Sequence, residues 1–182
     1  SADDAAAALA DQLTDDELLW LLDGDRTLLQ TFRGAGSNFP EVTAGRIDRV
    51  GIPGLRFTDG PRGVAIGPST SFPVAIARAA TWDVDVERRV AAAIGAEARA
   101  LGATLWGGLC VNVAPFPGWG RAQESYGEDP LLLGEMGAAA TAGAHPWVIT
   151  SVKHFALNSM EEARFTVDVR VAEDVLQERY LP

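Results

Sequence analysis

The chain has 182 residues, 47% apolar and 22% charged, a balance that excludes a disordered or fibrous protein and suffices for one substantial core. Its formal net charge of −10 argues against a general affinity for nucleic acid or anionic lipid, both of which reward clustered basic charge, and suits a neutral or cationic ligand better. The one cysteine, Cys110, lies in an apolar run and cannot form an internal disulfide, so it reads as a small buried hydrophobe.

The N-terminal SADDAAAALADQL carries an alanine run too short, and too closely flanked by aspartates, to be the core of a secretory signal. No apolar run approaches the length that crosses a bilayer, and the chain is expected to be soluble, either cytoplasmic or secreted after removal of a signal. Thr14 to Glu17 before LLWLL forms a capping box, which predicts a helix ending near Gly24. From Thr31 to Gly54 the abundance of Gly, Pro, Ser and Asn predicts a long irregular connection. Gly54 to Gly60 reads as a short strand ending in a turn.

Apolar residues at Val86, Val90, Ile94 and Ala98 fall at helical spacing and predict a helix from Thr81 that stops at Gly102. Thr104 to Ala114 is a mostly apolar strand, ended by Pro115 and Pro117. A loop follows to Glu128. Asp129 as N-cap and Pro130 at the first helical position then open a helix through LLLGEMGAAATAGA. Val148, Ile149 and Val152, with Trp147 before them, read as a buried strand of the kind parallel sheets use. VAEDVLQERYL, from Val171, has the spacing of a last helix.

Strands and helices therefore alternate, the pattern of βαβ units around a parallel sheet. The C-terminal ends of such strands are where ligands bind. Asp59 follows the first predicted strand, Arg121 the second, and Lys153 with His154 end the third. Lys153 is the only lysine among fifteen basic residues. Taken singly, Lys153 reads equally as a snorkelling cation and His154 as a satisfied core imidazole. If the strands are neighbours, all four side chains meet at one sheet edge, which is harder to ascribe to chance.

An aspartate, an arginine, a lysine and a histidine around one crevice suit a ligand dense in hydroxyls, because a carboxylate accepts from O–H groups while ammonium and imidazole donate. A phosphate would want the cations without Asp59. The two histidines, His145 and His154, lie nine apart and no cluster has metal-ligand spacing, so no metal is expected. No Gly-rich phosphate or dinucleotide loop occurs, which weighs against a cofactor-binding dehydrogenase or phosphate-binding barrel. Asp129 is explained by capping and Glu128 by the field at a helix N-terminus. Glu124 is expected to brace Arg121 rather than to touch ligand. Trp119 has two readings, stacking on a sugar face or packing the loop.

Four segments carry a resemblance to a known family. RFTDGPRGV (Arg56 to Val64), TWDVDVERRVAAAIGAEARALGA (Thr81 to Ala103), VNVAPFPGWGRAQESYGEDPLLLGEMGAA (Val111 to Ala139) and SVKHFALNSMEEARFTVDVRV (Ser151 to Val171) follow, in order, the N-terminal domain of family 3 glycoside hydrolases of β-glucosidase type. The resemblance implies a (β/α)8 TIM-barrel domain of which residues 46–182 supply about the first three β/α units, behind a lead-in over residues 1–45. It places Asp59, Arg121, Lys153 and His154 as the groups that hold the sugar in the −1 subsite. Where a branch acting on N-acetylglucosaminides carries a His-Asp pair, Ala156 to Glu161 stands here, which favours the glucosidase branch.

The implied reaction is retaining hydrolysis of terminal non-reducing β-D-glucosyl residues, by an aspartate nucleophile and a carboxyl acid/base. In the family both arise downstream of the matched segments, so neither is expected within this chain. A full barrel takes roughly 250 residues, and the chain is expected to act with the remainder of an enzyme or with another copy. Its expected partner is a β-glucoside or oligosaccharide, with no cofactor, no nucleic acid and no membrane. The alternative is a non-catalytic protein that uses the same fold segment to bind sugar or a partner.

Overall fold

The computed structural model describes residues 1–23 and 42–181. The predicted helix end near Gly24 and the stretch 31–41 lie outside the described residues. Helix α1 (Ala2–Ala10) leads into α2 (Asp15–Trp20), which starts on the expected capping box: Glu17 N–H donates to Thr14 Oγ1, and Thr14 N–H donates to the Glu17 carboxylate.

Strand β1 (Val42–Ile47), a 3-10 turn at Asp48–Val50 and strand β2 (Ile52–Thr58) form an antiparallel hairpin. This corrects the expectation of irregular chain as far as Gly54. Val42 to Ile47 is short and interrupted by Gly45, so its own pattern is weak; the ladder to β2 supplies what propensity does not, and Gly51, at φ 73°, makes the left-handed step that turns the chain. After the 59–74 loop come α3 (Ala75–Ala79), α4 (Val84–Ala100), β3 (Leu105–Cys110), α5 (Pro130–Ala144) and β4 (Ile149–Lys153). A helical turn at Glu173–Val175 runs into a π-helical turn at Leu176–Tyr180, so the last helix is shorter and less regular than its spacing predicts.

The sheet order is β1-β2-β3-β4, with β2, β3 and β4 parallel. Helices α4 and α5 pack on each other and on one face of β3. Ile94, Ala98, Met136, Ala140, Trp106 and Leu109 are buried there in one apolar cluster. The start of α5 agrees with the sequence, Asp129 capping it with Pro130 at its first position, while α4 starts at Val84 rather than at Thr81, because the Asp83 side chain caps it there. Two further details differ. The buried stripe of α4 runs through Glu87, Ala91, Ile94 and Ala98, so a carboxylate rather than Val86 enters the core. Strand β4 is the last strand of the sheet, and Ile149 and Val152 are 51% and 48% exposed while Val148 is buried. Their β-branched run reflects pairing with β3 more than burial.

Candidate active-site cleft

The three parallel strands deliver the predicted residues to one place. Asp59 follows Thr58 at the end of β2, Arg121 lies in the loop leaving β3, Lys153 is the last residue of β4, and His154 comes next. All four line one open cavity of about 480 Å³, together with Gly60, Pro61, Ala65, Glu124 and Arg164. A larger, mostly apolar groove of about 840 Å³ lies elsewhere, along α5 and the C-terminal turns, and contains none of the four.

Lys153 Nζ donates to Asp59 Oδ1 at 2.8 Å, and the Gly60 N–H donates to the same oxygen at 2.8 Å. Oδ2 of Asp59 takes no hydrogen bond from the described residues, and the side chain is 50% exposed. An ammonium carries three donors; one is engaged by Asp59, and no other side-chain bond from Lys153 is made among the described residues.

On the opposite wall Arg121 is held as predicted. Its Nε and NH2 donate to the two oxygens of Glu124 at 3.0 and 2.7 Å, a bidentate pair that fixes the guanidinium plane. Its NH1 lies 3.0 Å from His154 Nε2 and 3.7 Å from Glu161 Oε1. Arginine can only donate, so Nε2 accepts and the imidazole proton sits on Nδ1. That proton is given to Asn112 Oδ1 at 2.7 Å, an oxygen that also accepts the His154 backbone N–H at 3.0 Å. Burial lowers the His154 pKa, and the charges of Arg121 and Lys153 lower it further, so the ring is held neutral.

Asn112 and Glu161 are site residues that sequence reasoning missed. Asn112 stands in an apolar run just past β3 and is buried; a polar amide in such a run was the available signal. Its Nδ2 donates to the Asn158 carbonyl at 2.7 Å, tying the post-β4 loop to the post-β3 loop. Glu161 accepts from Trp119 Nε1 at 3.1 Å and from Arg164 at 3.0 Å, and no spacing rule marked it. The Trp119 contact decides between its two readings, because the indole is buried and packs the loop. Cys110 is buried, its thiol pushed up by desolvation, and it donates to Asn112 rather than facing the cleft. Among the described residues, no group of three His, Cys, Asp or Glu side chains is placed to hold a metal ion.

A parallel α/β arc with acceptor and donor side chains converging past its strand ends is the arrangement on which barrel enzymes build their active sites. Comparison with known proteins carries this further. Residues 8–182 match the family profile described as "Glycosyl hydrolase family 3 N terminal domain", and the chain belongs to that family. It is 40% identical over 142 residues to a "Probable beta-glucosidase H" of Aspergillus flavus, covering 74% of this chain and 17% of the relative. It is 35% identical over 176 residues to "Beta-glucosidase A" of Butyrivibrio fibrisolvens, covering 93% of this chain and 20% of the relative. Among solved structures, beta-glucosidase 3B from Thermotoga neapolitana in complex with alpha-D-glucose superposes with a TM-score of 0.87 at 32% identity, over 96% of this chain and 26% of the other. DesR, a beta-glucosidase from Streptomyces venezuelae in complex with D-glucose, superposes with a TM-score of 0.81 at 30% identity, over 97% of this chain and 22% of the other. The chain thus spans about a sixth to a quarter of the length of these relatives.

Proposed function

We propose that this chain supplies the sugar-holding half of a retaining β-glucosidase-type active site, in which Asp59, Lys153, His154 and Arg121 grip the hydroxyls of a terminal β-D-glucosyl residue. The observation that carries this reading is the pairing across one cleft: Asp59 with Lys153 at 2.8 Å, and Arg121 with His154 at 3.0 Å. Asp59 offers a free carboxylate oxygen to accept from sugar O–H groups, and Lys153 offers free ammonium hydrogens to donate. Relatives whose structures contain glucose share this fold segment.

In this reading the carboxylates that cut the bond come from outside the described cleft. A retaining pair stands only about 5–5.5 Å apart, with each member available for chemistry. The carboxylates lining the cleft are Asp59, bound to Lys153, and Glu124, whose two oxygens are both spent on Arg121. Their work is to position, and positioning groups raise the rate when they hold the transition state more tightly than the substrate.

Isothermal titration with D-glucose and with a glucose-shaped inhibitor tests the reading, alongside an aryl β-glucoside hydrolysis assay. Binding that Asp59→Ala abolishes, without turnover, is the expected result. Failure of the wild-type chain to bind either ligand would overturn the sugar grip. Hydrolysis abolished by Asp59→Ala would overturn the placement of the cutting carboxylates elsewhere.

A further inference from the structure

Beneath the cleft lies an ion pair sealed from water. Arg78, on α3, is 4% exposed and Glu87, on α4, is 1% exposed. Arg78 Nε and NH2 donate to the two Glu87 oxygens at 2.7 and 3.0 Å. As a source of stability such a pair is poor, because the cost of desolvating two charges rivals their attraction, and apolar side chains of similar size do as well. Burial works against the Arg78 charge, and the hydrogen bonds and charge of Glu87 outweigh it.

The contacts made beyond the pair point to its role. Arg78 NH1 donates to the carbonyls of Pro61, at 3.3 Å, and Pro73. These prolines stand near the two ends of the loop that follows β2, and Pro61 is two residues from Asp59. Glu87 Oε1 also accepts the Tyr126 hydroxyl at 2.7 Å. Tyr126 closes the loop that carries Arg121 and Glu124. Burial, with the Glu87 carboxylate beside it, pushes the Tyr126 pKa up, so the phenol stays a donor. One carboxylate on a rigid helix therefore fastens, by two separate arms, the loop of Asp59 and the loop of Arg121.

We propose that Glu87, acting through Arg78 on one side and Tyr126 on the other, is a positioning residue that sets Asp59 against Arg121 and His154 at the spacing a sugar requires. This rests on the sugar-site reading above. It assigns the cost of burying two charges to the geometry of the cleft, since a guanidinium and a carboxylate have fixed, directional bonds where packed methyl groups would let both loops slide.

The chain carries its own reporters. Lys153 is the only lysine and His154 one of two histidines, so 13C-lysine and 13C-histidine labelling give resonances that follow each loop without any sugar present. The double variant Arg78→Leu with Glu87→Leu removes both charges together and is expected to stay folded, with a thermal midpoint lowered by the Tyr126 hydroxyl it leaves without an acceptor. Its Lys153 Cε resonance is expected to move to the position seen in Asp59→Asn, and glucose affinity to fall about tenfold or more. A folded double variant with both readouts unchanged overturns the proposal. Should that variant fail to fold, Tyr126→Phe decides, because it removes a single oxygen. It is expected to shift the His154 ring resonances and leave Lys153 in place, and His154 resonances that do not move overturn the proposal. If the wild-type chain binds no glucose, the sugar reading falls, and the lysine and histidine resonances still judge the positioning.

Discussion

Asn112 Oδ1 receives both the ring Nδ1–H and the backbone N–H of His154, at 2.7 and 3.0 Å, so one buried amide sets the tautomer and the orientation of the imidazole. The other ring nitrogen is thereby presented as an acceptor to Arg121. Asn112→Ala deletes that acceptor and strands both N–H donors of His154, along with the weaker Cys110 thiol donor, in a partly buried site. The expected cost is about 1–3 kcal/mol of stability, read as a fall in the urea midpoint at constant m. In the same variant, 15N spectra of the His154 ring are expected to lose the single Nδ1–H pattern. A wild-type ring that already exchanges evenly between tautomers would contradict the assignment.

The same histidine predicts a pH dependence with a definite sign. Burial and the neighbouring cations lower its pKa in the folded state, while the unfolded chain returns it to about 6.5. Between those values the unfolded state binds more protons, so stability rises with pH across that window and is lost as pH falls below about 6.5. Glu17 behaves differently: Arg49 holds it down to about 2, so its contribution is full above the ordinary carboxylate range and disappears only in stronger acid. A thermal melt from pH 7.5 down to 5.5, about one unit either side of the free imidazole value, should show a declining midpoint that His154→Gln flattens. Equal slopes in both proteins would remove His154 as the cause.

What the sequence revealed and what it concealed divide along physical lines. The caps at Thr14 and Asp129 are local signals, each decided within four residues, and the structure forms both. Asp59, Arg121, Lys153 and His154 were legible because strand ends in a parallel sheet fall at one edge whatever the loops between them do. Asn112, Glu161 and Glu87 were not. Each is polar, and each has a partner at large sequence separation that no local pattern signals: His154 for Asn112, Trp119 for Glu161, Tyr126 for Glu87. Strand β1 was missed for the same reason, since its hydrogen bonds belong to β2 and not to its own residues. Exposure of Ile149 and Val152 was hidden too, because β propensity reports fit to a pleated surface and not which strand stands last.

Lys153 is predicted to resist even its closest replacement. The ammonium reaches Asp59 Oδ1 at 2.8 Å from a side chain only 18% exposed, and a compact charge with rotating donors fits between that carboxylate and a hydroxyl. The planar guanidinium of Lys153→Arg keeps the charge but presents donors in a fixed fork. Glucose affinity in Lys153→Arg is therefore expected to fall nearly as far as in Lys153→Ala, by about tenfold or more. Arg170→Ala, which removes a cation from the exposed surface, should leave affinity unchanged. Full binding in Lys153→Arg would mean that the site needs only a positive charge.

Helix α5 offers a paired test of how tightly it meets α4. A Cβ at Gly143 would lie 2.2 Å from the Arg88 carbonyl oxygen and 3.1 Å from Ala92 N, both backbone atoms of α4, so neither can swing aside. At Gly134, in the same helix, a Cβ would meet nothing within 4 Å. Alanine is the better helix former at both places, by about 0.8–1 kcal/mol. At Gly134 that gain is unopposed, and Gly134→Ala is expected to raise stability by about 0.5–1 kcal/mol. At Gly143 the helices must part or bend, at about 1–3 kcal/mol, which outweighs the propensity gain. Gly143→Ala is thus expected to lower the urea midpoint while Gly134→Ala raises it. If both variants gained stability alike, α4 and α5 would stand further apart than this contact requires.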